Sequence, residues 1–374
     1  MSRNTRSRLA VMGVVVVLLQ ASVILGQVRQ EIRVPDIMGY KTLKCDFHMH
    51  TVFSDGLVWP TVRVDEAWQE GLDAIAITDH IEYQPHKQDV PTNHNRPYEI
   101  ALPRARERGI LLVKATEITR DTPPGHFNAL FLDDITPLDT KELLEAMAAA
   151  DKQGAFIWWN HPGWKPEHKG WFDIHTAIYE KKYLRGIEVV NGETYYPEAH
   201  EWALSKNLTF MANTDLHGPC PLSKTTPEKH RPMTFVFCRA KSIPAIKDAL
   251  IAGRTAIWFE NKVIGRQEYL EALFRAAVRV TDVQSGQKVV RFSLRNGADL
   301  PVTLQRAGKL GPQEVSLPAG ATVRVSANVD ATDKQVQLAY TASNFLIGPE
   351  KGLPVNLVVA GEPAARAEAQ STGN

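Results

Sequence analysis

Residues 43–50 read Leu43-Lys44-Cys45-Asp46-Phe47-His48-Met49-His50. As a strand, this stretch puts Asp46, His48 and His50 on one face and Cys45, Phe47 and Met49 on the other. The apolar face is expected to pack on helices and the polar face to point into a barrel. Ser54-Asp55-Gly56 follows at once. The same theme recurs along the chain: an apolar run meets a polar ligand, and an amphipathic helix follows. Residues 73–78 run into Asp79 and His80, and residues 110–117 end on Glu117. His126 stands at the start of the run 127–132 rather than at its end. Residues 155–159 lead to His161, 185–190 to Asn191 and Glu193, and 209–212 to Asp215 and His217. Helices are expected at 62–70, 97–108, 140–153, 197–205 and 242–252, several of them closed by glycine.

Strands that alternate with helices imply a parallel sheet or an α/β barrel. An open doubly wound sheet would gather its functional groups at one switch point. Here they stand at the ends of many strands, which suits a closed ring. The barrel is expected over residues 41–260. From residue 276 to 360 the pattern changes to short strands separated by Gly, Pro and Asn, the signature of a small all-β sandwich. Residues 361–374, rich in Ala, Glu, Gly and Ser, are expected to be disordered.

The 374 residues carry a net charge of +1, with 44% hydrophobic and 23% charged residues. This is ordinary globular composition, with no basic run beyond the N-terminus to suggest nucleic acid. Arg3, Arg6 and Arg8 precede an apolar stretch at 9–25, and Gly26 offers a small residue for cleavage. Residues 1–26 therefore read as a secretory signal, or as an N-terminal anchor if uncleaved. The catalytic part is expected outside the cytoplasm, periplasmic or secreted, with a membrane partner only if that segment is kept. Cys45, Cys220 and Cys238 form no disulfide framework, although one bridge could follow export.

An H-x-H pair at a strand end can share one ion. Taken together, His48-x-His50, Asp55, Asp79-His80, Glu117, His126, His161 and Asp215-x-His217 resemble the polymerase and histidinol phosphatase (PHP) superfamily across roughly residues 43–260. The resemblance implies a distorted (β/α)7 barrel that binds two or three divalent metals. His48, His50, Glu117 and Asp215 would hold the first ion. Glu117 would bridge to a second ion held by His126 and His161, and Asp55, His80 and His217 would hold the third. Many relatives have His where this chain has Asp55, which keeps a ligand and adds negative charge. The layout of leader, barrel and C-terminal β domain is similar to exported Sb-PDE-type phosphodiesterases.

The residue chemistry agrees with these implications. Six imidazoles and three carboxylates without a thiolate suit Mn, Zn or Fe. Two neighbouring ions can activate water and clamp a phosphoryl oxygen. The expected activity is hydrolysis of small organic phosphodiesters by metal-bound hydroxide. A phosphomonoesterase, a non-phosphate metal-dependent hydrolase and a non-catalytic exported binding protein are the alternatives. Asp79 is expected to orient a histidine rather than bind metal. Arg231, with His230 beside it, is expected to fork onto phosphate. Trp159, in phase with His161, is expected to wall the substrate pocket, while Trp158 packs outside the barrel.

Overall fold

The computed structural model describes residues 28–90, 93–221, 226–227, 229–329 and 335–360. The expected leader (1–26) and disordered tail (361–374) lie outside these residues. The first region runs β1 (Lys41–Asp46), α1 (Pro60–Gln69), β2 (Ala74–Ile77), α2 (Arg96–Arg108), β3 (Leu111–Ile118), β4 (Phe127–Leu130), α3 (Leu143–Lys152), β5 (Phe156–Trp159), α4 (Asp173–Glu180), β6 (Leu184–Asn191), β7 (Thr194–Tyr195), α5 (Pro197–Ser205), β8 (Thr209–Asn213), β9 (Met233–Cys238), α6 (Ile243–Ile251), β10 (Thr255–Phe259), β11 (Lys262–Gly265) and α7 (Gln267–Ala277).

The ring follows the order β1-β2-β3-β4-β5-β6, and β8 pairs with β6. Its short strands, such as Ala74–Ile77 and Phe156–Trp159, are buried throughout. That is expected of strands covered on both faces. The circuit closes from β8 back to β1 through a bridge between Met49 and Leu216. Asp215 N–H donates to His48 O (2.8 Å) and His50 N–H to Leu216 O (2.9 Å) across this seam. β4 runs antiparallel to both β3 and β5, which is the distortion of the (β/α)7 barrel.

One apolar cluster fills the ring: Cys45, Phe47, Ala74, Ala76, Val113, Leu130, Phe156, Trp158 and Met211, with Ile246, Ala249 and Leu250 of α6. Because α6 joins the end of β9 to the start of β10, it lies at the N-terminal end of β1 and closes the barrel there. The lead-in docks at the same end. Arg29 donates to the carbonyls of Trp68, Gly71 and Leu72, and Gln30 N–H donates to Gln69 O, all at the C-terminal end of α1.

Beyond the ring, β9, β10 and β11 extend the sheet from β1. The second region is a sandwich. One sheet is β12 (Val278–Ser285), β13 (Val289–Asn296) and β16 (Thr322–Asn328). The other holds β14 (Val302–Arg306), β15 (Glu314–Leu317), β17 (Gln335–Gly348) and β18 (Lys351–Ala360). β17 pairs in parallel with β11, matching Val263 with Phe345 and Ile264 with Leu346, so the two regions share one continuous sheet. They also share a core. Leu270, Leu273 and Phe274 of α7 pack in the same cluster as Phe292, Leu338 and Leu353. Among the described residues, no helix is long and apolar enough to cross a membrane.

Two expectations about strand phase are corrected. Cys45 and Phe47 face the barrel interior rather than the helices, while Asp46 turns to Arg231. Alternation breaks after Phe47, where His48 N–H donates back to Asp46 (3.3 Å). His48 and His50 therefore still enter the ring. The same inversion occurs in β5: Trp158 packs inside and Trp159 outside.

Candidate metal centre

All nine expected ligands meet at the end of the barrel opposite α6. His48, His50, His80, His161, Asp215 and His217 follow their strands, and Glu117 sits near the end of β3. The reversed β4 explains His126: the start of an antiparallel strand lies where its neighbours end. Among the described residues, four groups have candidate ligand atoms mutually within 4.8 Å: His50 with Asp55, His80 and His217; His48 with His50 and Glu117; His48 with His161 and Asp215; and His80 with Glu117 and His126. Asp55, His80 and His217 thus come together as expected, with His50 added. His161 groups with His48 and Asp215, and its ring also stands 4.9 Å from that of His126.

Glu117 is fully buried and shared. Its Oε1 lies 2.9 Å from His126 Nδ1, and its Oε2 lies 3.1 Å from His48 Nε2 and 3.2 Å from His50 Nε2. Asp215 Oδ1 is 2.9 Å from His50 Nε2 and 3.2 Å from His48 Nε2. His50 Nε2, His126 Nδ1, His161 Nδ1 and Asp215 Oδ1 are buried without an aligned hydrogen bond. The tautomers sharpen the point. His48 Nδ1–H donates to Glu188 (2.8 Å) and His217 Nδ1–H donates to the carbonyl of Asp215 (2.8 Å). The Nε2 atoms of both rings then face carboxylate oxygens, which calls for a cation between them, a proton or a metal ion. The donor set therefore fits divalent metals.

Charge shifts report the same crowding. Burial alone would lower His48 and His50. The carboxylates of Asp215 and Glu117, joined by Glu188 at His48, outweigh it, lifting His50 to about 9 and His48 well above the usual range. Burial raises Glu117 and Asp215, yet the surrounding imidazoles hold both well below the usual carboxylate range. His126 is depressed, chiefly by burial.

The backbone is constrained at the same points. His161 (φ 26°) and Asp215 (φ 55°) both adopt the left-handed region, at about 1–3 kcal/mol each. His161 N–H is pinned by Glu188 (2.8 Å) and Asp215 N–H by His48 O. At Gly56, a Cβ would fall 2.5 Å from the His50 carbonyl carbon, so only glycine lets the Asp55 turn lie against the His50 backbone.

Glu188 escapes the sequence reading. It is fully buried and also accepts from Asn191 and Asn213, each at 2.9 Å. Asn160 donates to Glu117 (3.0 Å), and Thr119 Oγ1 stands 2.6 Å from His80 Nδ1. Asp79 lies outside the ligand groups. It accepts from Thr51 N–H and Oγ1 (2.6 Å each) and Ser54 Oγ (2.7 Å), steadying the loop that follows His50.

Three expected substrate contacts are corrected. Arg231 is 6% exposed and bonded to Asp46 and Glu70, so it neutralises buried carboxylates instead of facing phosphate. His230 stacks on Trp258 (3.6 Å) and its Nε2 bonds Glu260 O (2.8 Å). Trp159 is buried against His175 (3.8 Å) and Trp202 (5.5 Å). The cleft over the ligands, about 800 Å³, is lined instead by Tyr83, Arg120, Lys141, Trp164, Lys165 and Asn191 together with the ligands. All of its lining comes from the barrel. Cys45, Cys220 and Cys238 are buried and free.

A family of Ig-like domains matches residues 277–358. No curated protein matches the chain. Among solved structures, a two-domain protein from Bacteroides vulgatus, containing a predicted PHP-like metal-dependent phosphoesterase, is 44% identical with a TM-score of 0.86. The alignment covers 89% of this chain and 99% of that one. A protein from Bifidobacterium adolescentis assigned as a metal-dependent phosphoesterase is 18% identical (TM-score 0.39, 55% of this chain, 95% of that one). An amidohydrolase from Chromobacterium violaceum is 17% identical (TM-score 0.37, 47% and 88%).

Proposed function

The chain belongs to the PHP-like metal-dependent phosphoesterases, and from that premise we propose that it hydrolyses small organic phosphodiesters using two or three divalent ions, Mn, Zn or Fe. One observation carries the reading: imidazole lone pairs and carboxylate oxygens converge within about 3 Å around Glu117 and Asp215. His48, His50, Glu117 and Asp215 would hold one ion, Glu117 with His126 and His161 a second, and Asp55, His80 and His217 a third. When bound, such ions supply Lewis acidity and lower the pKa of water.

The chain's own groups do the rest. Glu117 divides its oxygens between imidazoles on two sides, so it can join neighbouring ions. Glu188 and the Asp215 carbonyl accept hydrogen bonds from the Nδ1–H of His48 and His217, which leaves each Nε2 to face the site. Lys141 and Lys165 at the cleft wall favour an anionic ester. A cleft of about 800 Å³ has room for both substituents of a diester, beyond the phosphate alone. The substrate is read as a small molecule rather than nucleic acid, because the chain is nearly neutral. The arginines and apolar run at residues 3–25 support action outside the cytoplasm.

Manganese-loaded protein is expected to turn over bis(4-nitrophenyl) phosphate faster than 4-nitrophenyl phosphate. Monoester turnover far above diester turnover would remove the diesterase reading.

A further inference from the structure

We propose that the cleft contains a built subsite for a planar aromatic substituent of the substrate, formed by Trp164 and Tyr83. The inference rests on the phosphoester reading of the site and names the class of ester it takes.

Trp164 and Tyr83 are 47% and 53% exposed, high for residues of this size, and both line the metal cleft. Each ring leans on expected ligands. Trp164 lies 5.7 Å from both His126 and His161, and Tyr83 lies 6.0 Å from His80 in an edge contact. His80 and His126 are themselves 5.7 Å apart. The row His80-His126-His161 thus forms a floor with an aromatic ring at each end.

Both rings stand on anchored backbone. Trp164 N–H closes a turn on His161 O (3.1 Å). Beside it, a Cβ on Gly163 would meet the Tyr196 ring at 2.9 Å, so glycine lets the turn lie against that ring. Preceding Tyr83, the Glu82 carboxylate accepts from Thr119 N–H (2.8 Å) and pairs with Arg120. Two half-exposed rings on anchored loops of one cleft leave apolar surface that a bound ligand can cover. Lys165 Nζ sits 4.9 Å from the Trp164 ring centre, placing a cation beside the apolar wall. An anionic head with a flat apolar substituent matches that pairing.

The test compares phenylphosphonate with methylphosphonate, which differ only in the ring and are not hydrolysed. Their dissociation constants are measured by calorimetry on manganese-loaded protein. The wild type is expected to bind phenylphosphonate about tenfold more tightly, as one good aromatic contact allows. Trp164→Ala and Tyr83→Ala should each shrink that ratio while leaving methylphosphonate within about twofold, and Trp164→Phe should restore most of it. Equal binding of the two by the wild type, or a ratio unmoved in both alanine variants, overturns the subsite. The outcome is independent of the diester-to-monoester ratio, so the two readings fail separately.

Discussion

His48 can offer its Nε2 to a metal ion because Glu188 accepts the hydrogen bond from its Nδ1–H. Glu188 also fixes the left-handed His161 through its backbone N–H, so one carboxylate sets two of the proposed ligands. Glu188→Gln puts an amide N–H₂ where acceptors are needed. It should weaken metal binding about 10- to 100-fold with little change in fold, read by competition against a chromophoric chelator. An unchanged metal affinity would refute the role. The candidate ligands other than Asp55 were legible because each falls beside a strand end, where periodicity and chemistry point to the same place. Glu188 was less so, since it lies within a strand among apolar residues rather than at its end. Even so, a lone carboxylate in the run Ile187-Glu188-Val189-Val190 was an available signal. Arg231 was not legible at all. A guanidinium near the last ligand pair looks the same from sequence whether it meets phosphate or Asp46 and Glu70, which lie 185 and 161 residues away.

At the scale of elements, strand alternation served within strands and failed just beyond them. In β3 and β8 the interior phase continues into Glu117 and Asp215; in β1 and β5 it breaks before the histidines arrive. Elements without ligands were also missed, namely β9, β11, α4 and α7. In α4 the β-branched Ile174, Thr176 and Ile178 weaken the helical signal, and burial of His175 and Ile178 holds the helix in place. His175 Nε2–H donates to Pro124 O (2.7 Å), two residues before His126, so α4 also braces a ligand loop. Burial depresses His175 and His200 to about 4. The unfolded chain then binds more protons than the native one below about pH 6.5. Stability is therefore complete above that value and declines as pH falls toward 4, by up to roughly 3 kcal/mol per histidine. In metal-free protein, the raised His48 and His50 act in the opposite sense and above pH 6.5, and His126 adds to the acid-side loss. Thermal melts of wild type and His175→Gln at pH 7 and pH 5 should diverge, with the wild type losing more. Parallel losses would count against this assignment.

For the whole molecule, the boundary near residue 276 marks a change of secondary structure rather than a break in the core. The β11–β17 ladder and the apolar cluster spanning α7 and both β sheets tie barrel and sandwich together. Scanning calorimetry of the intact chain should give one cooperative transition. Two well-separated peaks would show the regions to be energetically independent. The docking of Arg29 and Gln30 beside α1 has a geometric consequence. The polypeptide joins the barrel at its plugged floor, a full strand length beneath the catalytic mouth. A bead, a surface or a fused partner coupled upstream of Val28 would hold the molecule by its base, and the opening would look outward to whatever diffuses past.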